Sequence, residues 1–151
     1  MISKKAKYGL LAMMRLAREY GRGPVLIADL AAEEGIPKKF LEFILLELKQ
    51  KGMLQSKKGK GGGYLLARHP EEISAGVVLR ALDGSLTPIG CVGEPDAMPC
   101  AECTNPASCR IRALMREVND AQRSILDATT LDQLAKSDGE PRRLPLQRYH
   151  I

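Results

Sequence analysis

Four cysteines, Cys91, Cys100, Cys103 and Cys109, fall within nineteen residues, and the 151-residue chain contains no others. Cys100 and Cys103 form a Cys-x-x-Cys pair, and five residues separate Cys103 from Cys109. Gly93, Pro95, Pro99 and Pro106 lie among them, so the stretch reads as a loop able to wrap its thiolates around one centre. Sulfur donors of this kind select zinc or iron–sulfur clusters. Structural zinc sites more often use two close pairs set further apart. Neighbouring thiols can also work as a thiol–disulfide switch. Cluster, zinc and switch all stay open on spacing alone.

A second constellation is cationic. The run Lys57-Lys58-Gly59-Lys60-Gly61-Gly62-Gly63-Tyr64 joins three lysines to four glycines. Glycine lets a backbone turn tightly and approach another molecule closely, and lysine brings charge to that approach. The run is not a nucleotide-binding P-loop, which needs Gly-Lys-Ser/Thr opening a helix. Here a strand pattern, Tyr64 to Ala67, follows instead. With Met53, Leu54 and Gln55 leading in, the run reads as a hairpin tip. A solvated tip without a partner is the alternative.

These groups need elements to position them. Ile27 to Glu34 reads as a short helix with Leu30 and Ala31 inward, ended by Gly35. Pro37 suits the start of the next helix, whose Leu41, Ile44, Leu45 and Leu48 form one apolar stripe before Gly52. Helix, tight turn, helix and basic hairpin make a winged helix-turn-helix. Its second helix would offer Lys38, Lys39, Phe40 and Glu42 to the major groove of double-stranded DNA. The hairpin, or wing, would bring Lys57, Lys58, Lys60, Gly61, Gly62 and Tyr64. Upstream, Leu10, Leu11, Met14 and Leu16–Ala17 mark an amphipathic helix. Arg15 and Arg18 break its apolar run, so it does not read as a signal peptide. Downstream of the cysteines, Ile111, Leu114, Val118, Ala121, Ile125 and Ala128 repeat every three or four residues, which reads as the seam of a dimer helix, with a helix packed on its own domain as the alternative.

Composition agrees with this assignment. Residues 1–70 hold fourteen Lys or Arg against six Asp or Glu, a net of +8, while residues 71–151 hold nine against twelve, a net of −3. The basic excess therefore lies with the helix-turn-helix, as a nucleic-acid footprint should. Two Phe, four Tyr and no Trp leave few stacking platforms, which favours a duplex over single strands. No apolar run approaches the ~20 residues of a membrane span, so a cytoplasmic protein is expected. In that compartment structural disulfides do not persist. With two histidines and no nucleophile–His–acid set, the chain does not read as an enzyme.

The combination resembles the Rrf-type family of bacterial winged-helix regulators, with its IscR, NsrR, RirA and CymR types. The residues that carry the resemblance are Ser3 to Leu10, Ile36 to Glu42, Gly61 to Ala67, Ile73 to Val78 and Leu126 to Leu134. The resemblance implies a mainly α fold: a winged helix-turn-helix with a small β-hairpin wing, plus a long C-terminal dimerisation helix. On this reading residues 1–82 are the DNA-binding domain and 83–110 the cysteine loop. Residues 111–135 are the dimerisation helix with a short following helix, and 136–151 the tail. It further implies a homodimer on a palindromic operator, repressing transcription. Lys58 and Lys60 would reach the minor groove, and Glu42 could accept from a cytosine amino group.

Cluster-bearing members of the family use three cysteines, matched here by Cys91, Cys103 and Cys109. The family's fourth ligands are a His three residues after the last cysteine or an Asp in the first helix. Those positions hold Arg112 and Tyr8. Cys100 is the natural substitute, which makes the implied cofactor an all-thiolate iron–sulfur cluster, 2Fe–2S in preference to 4Fe–4S, with zinc as the alternative. The tail resembles the CymR type, whose partner is O-acetylserine sulfhydrylase. Tyr149, His150 and Ile151 would then occupy that enzyme's substrate pocket, the terminal carboxylate and the branched side chain entering together.

Overall fold

The computed structural model describes residues 1–93, 97–137 and 139. Helix α1 runs Lys4–Arg18, α2 Ile27–Glu34 and α3 Lys38–Gln50. Strands β1 (Leu54–Lys57) and β2 (Gly63–Leu66) form an antiparallel hairpin, and helices α4 (Ala75–Asp83), α5 (Arg110–Ala128) and α6 (Leu131–Lys136) follow. The mainly helical fold with one small hairpin is the architecture expected from the residues.

Local chemistry sets the boundaries. Ser3 caps α1, its hydroxyl accepting from the Ala6 N–H at 3.0 Å. The Ser3 backbone N–H donates to Asp83 at 2.7 Å, and its hydroxyl donates to the same carboxylate. Burial pushes the Asp83 carboxyl up, but these Ser3 hydrogen bonds, with Lys5 and the N-terminal amine, hold it below the usual carboxylate range. The start of α1 is thereby tied to the end of α4. Gly35 closes α2 at φ 63°, a left-handed turn that a side chain would resist. Helix α3 starts directly after Pro37, as the fixed proline φ favours.

The stripe Leu41, Ile44, Leu45 and Leu48 of α3 is fully buried against Met13, Leu16 and Leu30. Along α1 the deepest positions are Ala6, Gly9, Ala12, Met13, Leu16 and Ala17, while Leu10, Leu11 and Met14 are half-buried and pack at the margin of the same core. In the hairpin, Leu54 pairs with Leu66 and Lys57 with Gly63. Near the tip end of the hairpin a bridge joins Tyr64 to Val25: the Val25 N–H donates to the Tyr64 carbonyl at 2.8 Å, and the Tyr64 N–H to the Val25 carbonyl at 2.9 Å. A Cβ on Gly63 would lie 2.1 Å from the Val25 oxygen, so the wing approaches this segment only because residue 63 lacks a side chain.

Helix α6 folds back onto α1. Leu131 is fully buried in the common core, and its N–H donates to the Ile73 carbonyl at 2.9 Å. Arg18 Nε donates to the Ala135 carbonyl at 3.1 Å. A capping box between Thr130 and Gln133 starts this short helix. Helix α5 behaves differently. Its one buried residue is Asn119, whereas Ile111, Leu114, Val118 and Ile125 are all exposed, Ile111 at 66%. An ion pair between Arg80 and Asp127 links α4 to α5. No helix among the described residues is long and apolar enough to cross a membrane.

Candidate nucleic-acid interface and cysteine site

The helix-turn-helix places α3 with its polar N-terminus outward. Lys38, Lys39 and Glu42 are exposed there, none of them in an ion pair among the described residues. Phe40 is half-buried, its ring edge-on to Tyr8 with centroids 5.9 Å apart. It therefore braces α3 against α1 while the lysines stay in solvent. Tyr8 is engaged in that contact, with Lys4 Nζ 5.9 Å above its ring. The buried stripe alone could not separate Phe40 from its exposed neighbour Phe43.

At the wing tip Lys57, Lys58, Lys60 and Gly61 are exposed, Gly62 is buried beneath the tip, and Tyr64, paired with Ser56 in the hairpin, is half-buried. Gly62 donates its N–H to the Gly59 carbonyl at 3.0 Å, which closes the tip into a tight turn. Lys49 of α3 donates to the Ser56 hydroxyl of β1 at 2.6 Å. This link between helix and wing has no periodic signature in the sequence. Two cationic projections, the start of α3 and the wing tip, thus stand on one core. A duplex offers both a groove for a helix and flanking phosphates for lysines.

The cysteines occupy the connection between α4 and α5. Cys91 is buried, Cys100 exposed, and Cys103 and Cys109 lie between; all four are free thiols. The Cys103 N–H donates to the Cys100 carbonyl at 2.9 Å, giving the Cys-x-x-Cys pair a turn. Burial pushes the Cys103 thiol up first, followed by its neighbours Cys100 and Cys109, a hydrogen bond with Cys100, and Cys91. No three His, Cys, Asp or Glu side chains among the described residues gather as a group that could hold a metal ion. The donor chemistry, four thiols in one connection, fits a thiophilic centre, while the closed geometry of such a centre is not formed in this conformation.

Cys109 has a second role. It is the N-cap of α5, its Sγ accepting from the Arg112 N–H at 3.4 Å. Arg112 Nε donates to the Cys91 carbonyl at 3.1 Å. The first turn of α5 thus holds the first and last cysteines of the loop. Tyr149, His150 and Ile151, the expected partner-binding tail, lie outside the described residues.

Against known proteins, the family model described as Rrf2, iron-dependent transcriptional regulator, matches residues 2–137. An rrf2-like HTH-type transcriptional regulator of Rhodobacter capsulatus is 36% identical over 137 residues, covering 89% of this chain and 91% of the relative. The HTH-type regulator CymR of Bacillus subtilis is 34% identical over 140 residues, 92% of this chain and 93% of its own. Its solved structure, titled as that of the global cysteine regulator, superposes with a TM-score of 0.76, over 89% of this chain and 95% of that one. IscR of T. potens superposes with a TM-score of 0.72 at 29% identity, over 95% of this chain and 91% of that one.

Proposed function

The chain belongs to the Rrf2 family of transcriptional regulators, and from that premise we propose that it is a homodimeric repressor whose grip on a palindromic duplex is set by its cysteine site. The regulators it matches are transcription factors, not enzymes. The observation that carries the proposal is the position of the thiols. Cys109 begins α5, Arg112 ties that turn to Cys91, and the loop between them leads back to α4. A change at the sulfurs therefore acts at the joint between the winged domain and the α5 seam.

The seam supports the dimer. Ile111, Leu114, Val118 and Ile125 form a stripe in solvent along a 19-residue helix whose one buried residue is Asn119. A two-fold mate would cover the stripe and place two α3 helices for two half-sites. Cys91, Cys100, Cys103 and Cys109 would hold an iron–sulfur centre, 2Fe–2S in preference to 4Fe–4S. When bound, that centre supplies redox-sensitive charge within the loop. The chain's own part is mechanical. Arg112 fixes Cys91 relative to α5, and the Arg80–Asp127 pair couples α5 to α4. Coupling of this kind is typically worth ~1–3 kcal/mol.

A second reading follows from the likeness to CymR, one of whose solved forms is titled as oxidised. On that reading the exposed Cys100 and its neighbour Cys103 form a thiol switch or bind zinc, and the tail engages O-acetylserine sulfhydrylase. The deciding experiment is the iron, sulfide and zinc content of anaerobically purified protein, with its visible absorption spectrum. The proposal expects iron and sulfide in equal amounts and colour that is lost in Cys103→Ser. A colourless, iron-free, zinc-loaded protein would replace it with the second reading.

A further inference from the structure

Helix α3 carries an apolar row that the core does not use. Leu41, Ile44, Leu45 and Leu48 face inward. At about 100° per residue, the direction opposite that stripe is shared by Lys39, Phe43, Leu46 and Gln50, while Glu42 lies about 70° to one side and Glu47 about 70° to the other. Phe43 is 57% exposed and Leu46 48%, and neither belongs to the hydrophobic core nor packs at its margin. They are three residues apart and so adjacent on the helix surface. A single exposed apolar residue is ordinary. Two side by side on the outward centre of this helix, with Lys38, Lys39 and Lys49 exposed on the same helix, call for an apolar partner in an anionic surround.

The base edges of a duplex offer one such group. In the major groove the thymine C5-methyl is the apolar feature, set between phosphate strands that attract the flanking lysines. We infer that Phe43, backed by Leu46, is a specificity-determining residue that selects thymine by contact with its C5-methyl. The inference rests on the proposed duplex binding and deepens it. Phe43 is the sixth residue of α3, within the N-terminal half that docks deepest in a helix-turn-helix. Phe40, one turn earlier, is spent on Tyr8, so the two phenylalanines divide bracing from readout. Charge complementarity favours a duplex over a protein partner for this face: of the two carboxylates beside the row, Glu47 is paired with Lys5 and Lys51, which leaves Glu42 against Lys38, Lys39 and Lys49 of the same helix.

The test uses duplexes that the wild-type protein selects from a randomised pool. Each recurrent thymine is replaced by deoxyuracil, which removes the methyl and leaves base pairing intact. For wild type, affinity should fall about fourfold at each methyl that Phe43 covers. Phe43→Ala should bind the selected duplex about tenfold more weakly, keep its affinity for random duplex, and become indifferent to the uracil replacement. Leu46→Ala should show the same pattern more weakly. Uracil replacement that is neutral at every thymine, on a duplex still bound tightly and specifically, overturns the inference and leaves duplex binding standing. Failure to select any duplex overturns the underlying reading instead. A change of sedimentation mass in Phe43→Ala would assign the row to protein contact and also overturn it. The uracil arm leaves the protein untouched, so folding of the variants cannot confuse the result.

Discussion

Replacing both Lys58 and Lys60 by alanine should flatten the salt dependence of DNA binding more than it lowers stability. Both side chains are exposed, and among the described residues neither enters an ion pair, so their charge is free for phosphate. Each phosphate contact contributes about 0.9 to the slope of log affinity against log salt. Two lysines per protomer, four per dimer, therefore set an upper bound of about 3.6 on the slope lost. Over a fourfold rise in salt, that bound means the variant's affinity falls about a hundredfold less than that of wild type. Fluorescence anisotropy of a labelled duplex, titrated at four or more KCl concentrations, gives both slopes. The loss should appear equally on selected and random duplexes, because phosphate contacts carry no sequence. Thermal unfolding should move little, as expected for exposed side chains away from special geometry. Parallel salt plots for wild type and variant would refute the role given to the wing.

Three further outcomes follow from the geometry. Gly63→Ala should cost about 2 kcal/mol or more and loosen the wing, since the new Cβ would meet the Val25 oxygen at 2.1 Å and φ is +145°; a melting temperature within a degree of wild type would contradict the tethered wing. Arg15 hydrogen-bonds to Glu19 and Glu33 and holds both carboxyls below their ordinary range, so this contribution is present above the ordinary carboxylate pKa and lost as pH falls through the lowered values. The stability gap between wild type and Arg15→Ala in urea titrations should accordingly be constant from neutral pH to about pH 5 and shrink toward pH 3. Leu114→Glu or Val118→Glu, both on the exposed seam of α5, should give a folded monomer by sedimentation with sharply weaker operator binding; an unchanged dimer would remove the seam from the interface.

Much of the fold could be read from residue spacing, because its signals are local. Gly35 and Gly52 punctuate α2 and α3, and the four-residue stripe of α3 needed no other information to mark its buried face. The helix of α5 and its apolar stripe were legible for the same reason, the period being written along one helix. What stayed hidden depends on contacts distant in sequence. Nothing in Leu131 signals that α6 returns to α1 and completes the core, since one apolar residue in a short helix has no distinctive period. Phe40 and Phe43 look equivalent in the chain, and only the packing of Tyr8 against Phe40 separates bracing from exposure. At the cysteine site, residue type and spacing gave the donor chemistry. They did not give the dual role of Cys109, which is both a thiol of the loop and the cap of α5, nor the hold of Arg112 on Cys91.

The most direct measurement compares operator affinity before and after the cysteine site is emptied by chelation, in wild type and in Cys109→Ser. Serine keeps an N-cap acceptor for α5, so folding should be retained while the soft donor is lost. The account predicts a shift of about fivefold or more for wild type and none for the variant. Identical affinities for loaded and stripped wild-type protein would mean that the sulfur site and the DNA-binding face act independently, and would contradict the account at its centre.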